Sequence, residues 1–143
     1  MNIFADSSFL LSVIGGDSHS KAATTALADH EGHFCSTAIV MFECWNRIHK
    51  WKLDGNFDET ETGRLARSLE SLETHRFIVV REVSMKKLAA NSKRLVDHFS
   101  STIPHGSMDV LHVGAACALR CDTFATFDKN QRALALAAGL RVL

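Results

Sequence analysis

The sequence predicts an α/β domain in which a parallel sheet of about five short strands is covered by helices on both faces. Three observations carry that expectation. Short apolar runs rich in Ile, Val and Phe alternate with longer helical patterns along the whole chain. That order produces parallel pairing through helical crossovers. Two of the short runs end directly on an aspartate, Asp6 and Asp128, each just ahead of a helix. Hydrophobic residues make up 46% of the 143 residues, enough for a core of ordinary domain size.

The first strand is Asn2–Ala5, ending at Asp6. Ser7 and Ser8 open a helical run through Phe9, Leu10, Leu11, Val13 and Ile14, stopped by the pair Gly15 and Gly16. Residues 18–31 read as an Ala-rich helix with Ala22, Ala23, Ala26 and Leu27 as its apolar stripe, ended by Gly32. His33–Ser36 is the second strand. A third helix covers 37–53. Its first half, Ala38 to Phe42, is almost wholly apolar until Glu43 interrupts it ahead of Cys44 and Trp45.

Asp54, Gly55 and Asn56 break that helix. Residues 58–74 form an amphipathic helix with Leu65, Leu69 and Leu72 on one side. The β-rich run 77–83 reads as a strand, and Ser84 caps a helix running to about Ser100. Pro104, the sole proline, and Gly106 mark the loop before an Ala-rich helix that carries Asp109 in its first turn. Residues 123–127 form a strand that runs into Asp128. An Ala/Leu helix, Gly139 and a last strand over 140–143 complete the chain. No repeat, low-complexity tract or linker interrupts it, so residues 1–143 read as one domain. Crossovers should be right-handed, and sites form outside the carboxyl ends of such strands. Asp6 and Asp128 should therefore point to the same edge.

Bulk properties narrow the function. The 16 Lys and Arg balance the 16 Asp and Glu, so a nucleic-acid partner needs a local basic patch rather than long-range attraction. Arg47, Lys50 and Lys52, then Arg64 and Arg67, then Lys86, Lys87, Lys93 and Arg94 are the available clusters; solvated helix faces explain each equally simply. No apolar run reaches the roughly 18–20 residues of a membrane span, and the N-terminal stretch has no basic n-region. A cytoplasmic protein without a membrane partner is expected. Cys35, Cys44, Cys117 and Cys121 form no Cys-x-x-Cys pair. Cys117 and Cys121 fall four apart, as if on one helix face, with no second ligand pair at zinc-finger spacing. They read as reduced, mostly buried small apolar residues.

Each acid has a plain explanation. Asp6 and Asp128 both precede helices and fit N-caps, worth about 0.5–2 kcal/mol. Asp109 fits a first-turn acid that complements the helix dipole, worth about 0.3–1 kcal/mol. Glu43 is harder to explain this way. It interrupts an apolar stripe, and burying an unpaired carboxylate costs several kcal/mol. A partner at Arg47, one turn on, is one relief; a polar cavity shared with other acids and a cation is the other. Four carboxylates that meet repel one another and titrate high, and a bound divalent cation removes the penalty. All-oxygen ligation selects Mg²⁺ or Mn²⁺ over zinc, a chemistry that suits phosphodiester cleavage.

The sequence resembles the PIN-domain ribonucleases, in particular the VapC-type toxins of toxin–antitoxin pairs. The resemblance spans essentially the whole chain. It rests on the first strand ending in Asp6-Ser7-Ser8, on Glu43 in the third helix, on Met108-Asp109-Val110-Leu111-His112-Val113-Gly114-Ala115-Ala116, and on Thr126-Phe127-Asp128-Lys129 before an Ala-rich helix. It implies a three-layer α/β/α fold with strand order 3-2-1-4-5. It implies an acidic quartet, Asp6, Glu43, Asp109 and Asp128, holding Mg²⁺ or Mn²⁺, with Ser8 and Thr126 supporting the site. It implies an endoribonuclease that forms a homodimer, acts on RNA and is neutralised by an antitoxin. A fifth acid that sometimes follows the fourth is absent, since Asn130 and Gln131 stand there, which leaves a second metal site open.

Other chemistries fit less well. Ser7 and Ser8 lie in no Gly-x-Ser-x-Gly elbow, and no Gly-rich phosphate loop is present. His30 and His33 straddle a helix end and read as surface residues. His112, one turn past Asp109, reads as a packing or hydrogen-bonding neighbour of the site rather than a general base. His105 reads as a loop residue, solvated or touching RNA. Trp45, Trp51 and Phe57 are candidate exposed anchors for a partner. The competing reading is a non-catalytic module of the same fold that binds RNA or protein without cutting.

Overall fold

The computed structural model describes residues 1–15 and 17–143. The chain runs β1 (Asn2–Ala5), α1 (Ser7–Gly15), α2 (Ser20–Asp29), β2 (His33–Ser36), α3 (Ala38–Leu53) and α4 (Glu59–Thr74). It continues through β3 (Val79–Val80), α5 (Met85–Phe99), α6 (Ser107–Ala118), β4 (Thr123–Ala125), α7 (Lys129–Ala137) and β5 (Arg141–Val142). The strands form one sheet in the order β3-β2-β1-β4-β5, every pair parallel. Helices α1 to α4 pack on one another along one side, and α5, α6 and α7 along the other. This is the three-layer α/β/α arrangement, and the strand order matches the one the resemblance implied.

The central strand decides where the core lies. Ile3, Phe4 and Ala5 are fully buried, and Phe4 stacks on Phe124 of the neighbouring strand with ring centroids 5.4 Å apart. From β1 the chain builds outward to β2 and β3, then returns to lay β4 and β5 on the opposite flank. The direction of winding thus reverses between β1 and β4, and a crevice opens there at the carboxyl ends of the strands. Asp6 and Asp128 follow these two strands. In the second helical layer Gly114 lets α6 lie close against α5: a Cβ there would stand 2.4 Å from Ser92 Oγ and 3.2 Å from Ser92 N.

The strands are shorter than the sequence runs suggest. β2 ends at Ser36, so its edge partner runs out after Val80, while Ile78 N donates to Leu72 O at the end of α4, and the expected strand 77–83 shrinks to Val79 and Val80. β1 ends at Ala5, so β4 stops at Ala125 instead of continuing to Phe127. The second helix likewise occupies Ser20–Asp29, with Ala22 of its expected stripe exposed. Gly16, expected with Gly15 to stop α1, lies outside the described residues.

Two expectations about side chains are corrected. Cys121 falls beyond the end of α6 and does not share a helix face with Cys117; its Sγ lies 3.6 Å from Cys35 Sγ. All four cysteines are free. Trp45, Trp51 and Phe57 are not exposed anchors. They are half-buried against the core, with Trp51 edge-on to Phe57 at 5.5 Å, because α4 folds back along α3 and covers them. The exposed apolar residues of α3 are Phe42, at 67%, and Leu53, at 86%. Among the described residues no helix is long and apolar enough to cross a membrane.

Candidate functional site

Asp6 is the buried foot of the crevice. Its Oδ1 accepts from Phe9 N at 2.8 Å and Ser8 Oγ at 2.9 Å, and its Oδ2 accepts from Thr126 Oγ1 at 2.5 Å. The first of these bonds makes Asp6 the cap of α1, as its sequence position suggested. The two hydroxyls also accept. Phe127 N donates to Ser8 Oγ at 2.9 Å, and Asp128 N donates to Thr126 Oγ1 at 3.0 Å. Each hydroxyl has one proton and gives it to Asp6 while taking a backbone proton from the turn after β4. Ser8 and Thr126 thus tie that turn to the central strand. Burial still dominates the carboxyl group. Loss of water pushes its pKa up to about 6, and the bonds from Thr126, Phe9 and Ser8 only partly offset this.

Glu43 lies one helical layer away on α3, half-buried, with its side chain 23% exposed. Its partner is not Arg47. His112 Nε2 of α6 lies 2.6 Å from Glu43 Oε2, and His112 is fully buried. An ionised carboxylate only accepts, so Nε2 carries the proton and donates it. That bond holds the Glu43 carboxyl below its ordinary pKa against the opposing effect of burial, with a smaller contribution from Ser7.

Asp128 keeps the capping role its position suggested, and Asp109, expected as a first-turn acid of the helix dipole, also bonds back to the cap residue of its helix. Asp109 Oδ2, in the first turn of α6, accepts from Gly106 N at 2.6 Å. Asp128 Oδ1 accepts from Asn130 N and Gln131 N at the start of α7, at 2.8 and 2.9 Å. Capping uses one oxygen of each. Asp109 Oδ1 and Asp128 Oδ2 have no hydrogen-bond partner among the described residues. A capping role and a ligand role are therefore compatible in both.

Three of the four acids meet at one cavity. Glu43, Asp109 and Asp128 line a space of roughly 380 Å³, with Ser7 and Ser8 on its floor. Asp6 lies just beneath, behind Ser8. The same walls carry residues that the sequence did not single out, Asp17, His19 and Gln131, whose Oε1 is buried without a partner. Asp17 and His19 fall in the polar turn before α2, where the sequence pattern placed His19 already in the helix and marked no site. Arg47 and Trp51 also line the cavity, so the helix that brings Glu43 brings a cation with it. Lys52, Arg64 and Lys93, by contrast, are paired with Glu59, Glu61 and Asp97 on the surface.

The donor set fits an oxygen-ligated divalent cation: three carboxylates on one cavity, two with a free oxygen. Among the described residues, no three of these acids or histidines stand close enough together to form a ready-made ion cage.

The profile of the PIN domain family matches residues 3–136. No curated protein matches the chain in sequence. Among solved structures, the fold is similar to that of Mycobacterium tuberculosis VapC20, a toxin that cleaves the sarcin-ricin loop, with a TM-score of 0.72 and 18% identity over 96% of this chain and 95% of that one. It is similar to VapBC2 from Rickettsia felis, solved with a DNA fragment from its promoter, with a TM-score of 0.71 and 14% identity over 100% and 98% of the two chains. It is also similar to FitAcB from Neisseria gonorrhoeae, with a TM-score of 0.70 and 15% identity over 99% and 96%. At these identities the likeness is one of fold.

Proposed function

The chain belongs to the PIN domain family, and on that premise we propose that it is a divalent-metal-dependent endoribonuclease, the toxin of a VapBC-type toxin–antitoxin pair. The observation that carries this reading is the gathering of Glu43, Asp109 and Asp128 around one cavity at the switch point of the sheet, with Asp6 buried beneath. The likeness in fold to VapC20, a toxin named for cleaving the sarcin-ricin loop, supports it.

On this reading Asp6, Glu43, Asp109 and Asp128 hold Mg²⁺ or Mn²⁺, and residues 1–143 act as one unit. When bound, the cation neutralises phosphate charge and acidifies a water molecule for in-line attack. The chain's own groups do the rest. Ser8 and Thr126 fix Asp6 and the turn that carries Asp128. His112 orients Glu43 and keeps it ionised at neutral pH. Arg47 offers a cation to a neighbouring phosphate. The partners are a cytoplasmic RNA, a cognate antitoxin and a second copy of the chain.

A second reading has its own observation. Each of the four acids already holds an internal donor, and no three stand ready for an ion, as suits a non-catalytic module that binds RNA or protein. One experiment separates the two. Purified protein is incubated with total RNA and Mg²⁺ or Mn²⁺, with EDTA, and as Glu43→Gln. Cleavage that requires metal and is lost in the variant supports the nuclease. Folded protein that cuts nothing with either metal and leaves growth unaffected when expressed alone supports the binding module.

A further inference from the structure

Four rings form a near-parallel stack that ends at the cavity. Phe34 and Phe9 lie 5.6 Å apart with planes at 12°. Phe9 and Phe127 lie 6.0 Å apart at 10°. Phe127 and His19 lie 4.5 Å apart at 13°. The first two rings are buried, Phe127 is half-buried and His19 is exposed. The stack thus runs from the core to the surface, and both outer rings line the same cavity as Glu43, Asp109 and Asp128.

The turn that carries His19 is held in place. Asp17 Oδ1 accepts from His19 N at 2.8 Å, and Asp17 Oδ2 accepts from Ser12 Oγ at 2.9 Å. Ser20 Oγ donates to Ser12 O at 2.6 Å. The ring is therefore fixed to α1 through its backbone and to the turn after β4 through its face. An exposed imidazole held flat on a phenyl ring, beside carboxylates and Arg47, is a surface suited to one kind of ligand group. Unpaired nucleobases stack on aromatic planes of this sort with little dependence on sequence.

We propose that His19, backed by Phe127, is a base-stacking platform: an unpaired base of single-stranded or looped RNA lies on the imidazole while its neighbouring phosphate reaches the carboxylates. The inference rests on the endoribonuclease reading for the identity of the substrate and adds the part of the nucleotide the cavity grips. It limits cleavage to RNA whose base next to the cut is free of its helix.

The test compares wild type, His19→Ala and His19→Phe in two assays. The first is metal-dependent cleavage of an oligonucleotide containing a mapped cut. His19→Ala should raise KM about 10-fold, the fold-change of a stacking interaction worth about 1.4 kcal/mol. kcat should stay within about two-fold and Tm should not move. His19→Phe should restore KM. The second assay is equilibrium binding of labelled random-sequence single-stranded RNA in EDTA, where the same order of affinities is expected. An unchanged KM and affinity in His19→Ala overturns the platform, as does a Phe variant no better than Ala. RNA cut normally by His19→Ala removes the platform and leaves the nuclease standing. His19-dependent binding without cleavage under any metal removes the nuclease and leaves the platform. No RNA binding and no cleavage under any metal removes both.

Discussion

His112 Nε2 stands 2.6 Å from Glu43 Oε2, although 69 residues separate them in the chain. Glu43 belongs to α3, in one helical layer, and His112 to α6, in the other. The bond therefore joins the two layers past the carboxyl edge of the sheet. Replacing His112 by Leu leaves a half-buried carboxylate without its donor, and unfolding in urea at pH 7 should show a loss of about 1–3 kcal/mol. Glu43→Gln should cost less, because its amide oxygen still accepts from Nε2. The Glu43 carboxyl titrates below its ordinary value, so its contribution is present at neutral pH and lost as pH falls through the folded pKa. The advantage of wild type over Glu43→Gln should accordingly shrink as pH falls below the ordinary value of 4.5 and vanish below the lowered folded value.

Asp6 has the opposite sign. Its folded pKa is raised from 3.8 to about 6, so between those values the folded chain binds more protons than the unfolded one. Stability attributable to this group is then present at low pH and lost as pH rises toward 6. In EDTA, the stability of wild type relative to Asp6→Asn should fall by about 3 kcal/mol between pH 3.5 and pH 7.5, the free energy of a shift of that size. A difference that does not change across this range would show that Asp6 is not desolvated as its burial suggests. Added Mn²⁺ should reverse part of the loss in wild type only.

Asp128 permits the cap and the chemistry to be separated. Asn caps a helix about as well as Asp, so Asp128→Asn should change stability by no more than about 0.5 kcal/mol. RNA cleavage should nevertheless fall by about 100-fold or more, because a neutral amide lacks the negative charge with which a carboxylate holds a divalent cation. Asp128→Ala should lose both, with about 1 kcal/mol from the cap. Equal activity in Asp128→Asn and wild type would reduce Asp128 to its cap.

Gly114 reports on the close approach of α5 and α6. Gly114→Ala would place a methyl group 2.4 Å from Ser92 Oγ, and thermal or urea unfolding should show a loss of about 1–3 kcal/mol from overpacking. Ser92→Ala in the same chain should recover part of it by removing the Oγ. The contact with Ser92 N at 3.2 Å remains, so recovery should be incomplete.

What the sequence determined by itself was local. Period and composition gave the alternation of strands and helices, and with it a parallel sheet and the shared edge of Asp6 and Asp128. The position of Asp128 ahead of a helix was enough to identify its capping bonds, to neighbours two and three residues away, and that of Asp109 was enough to place it in a helix's first turn. Tertiary structure alone decided which distant groups meet. Glu43 had Arg47 within one turn as its obvious partner, yet the closing of the two helical layers past the sheet edge delivered His112, and a half-buried carboxylate takes the donor held beside it. Strand ends were set by distant partners, β2 stopping at Ser36 and Leu72 O taking Ile78 N, so the run from residue 77 to 83 kept only Val79 and Val80. The half-burial of Trp45, Trp51 and Phe57 came from α4 folding over α3, and the stack from Phe34 to His19 joins four segments with no common spacing. Side chains that satisfy one another across such distances leave no periodic trace in the chain, because their contact depends on how the layers close and not on the order of residues.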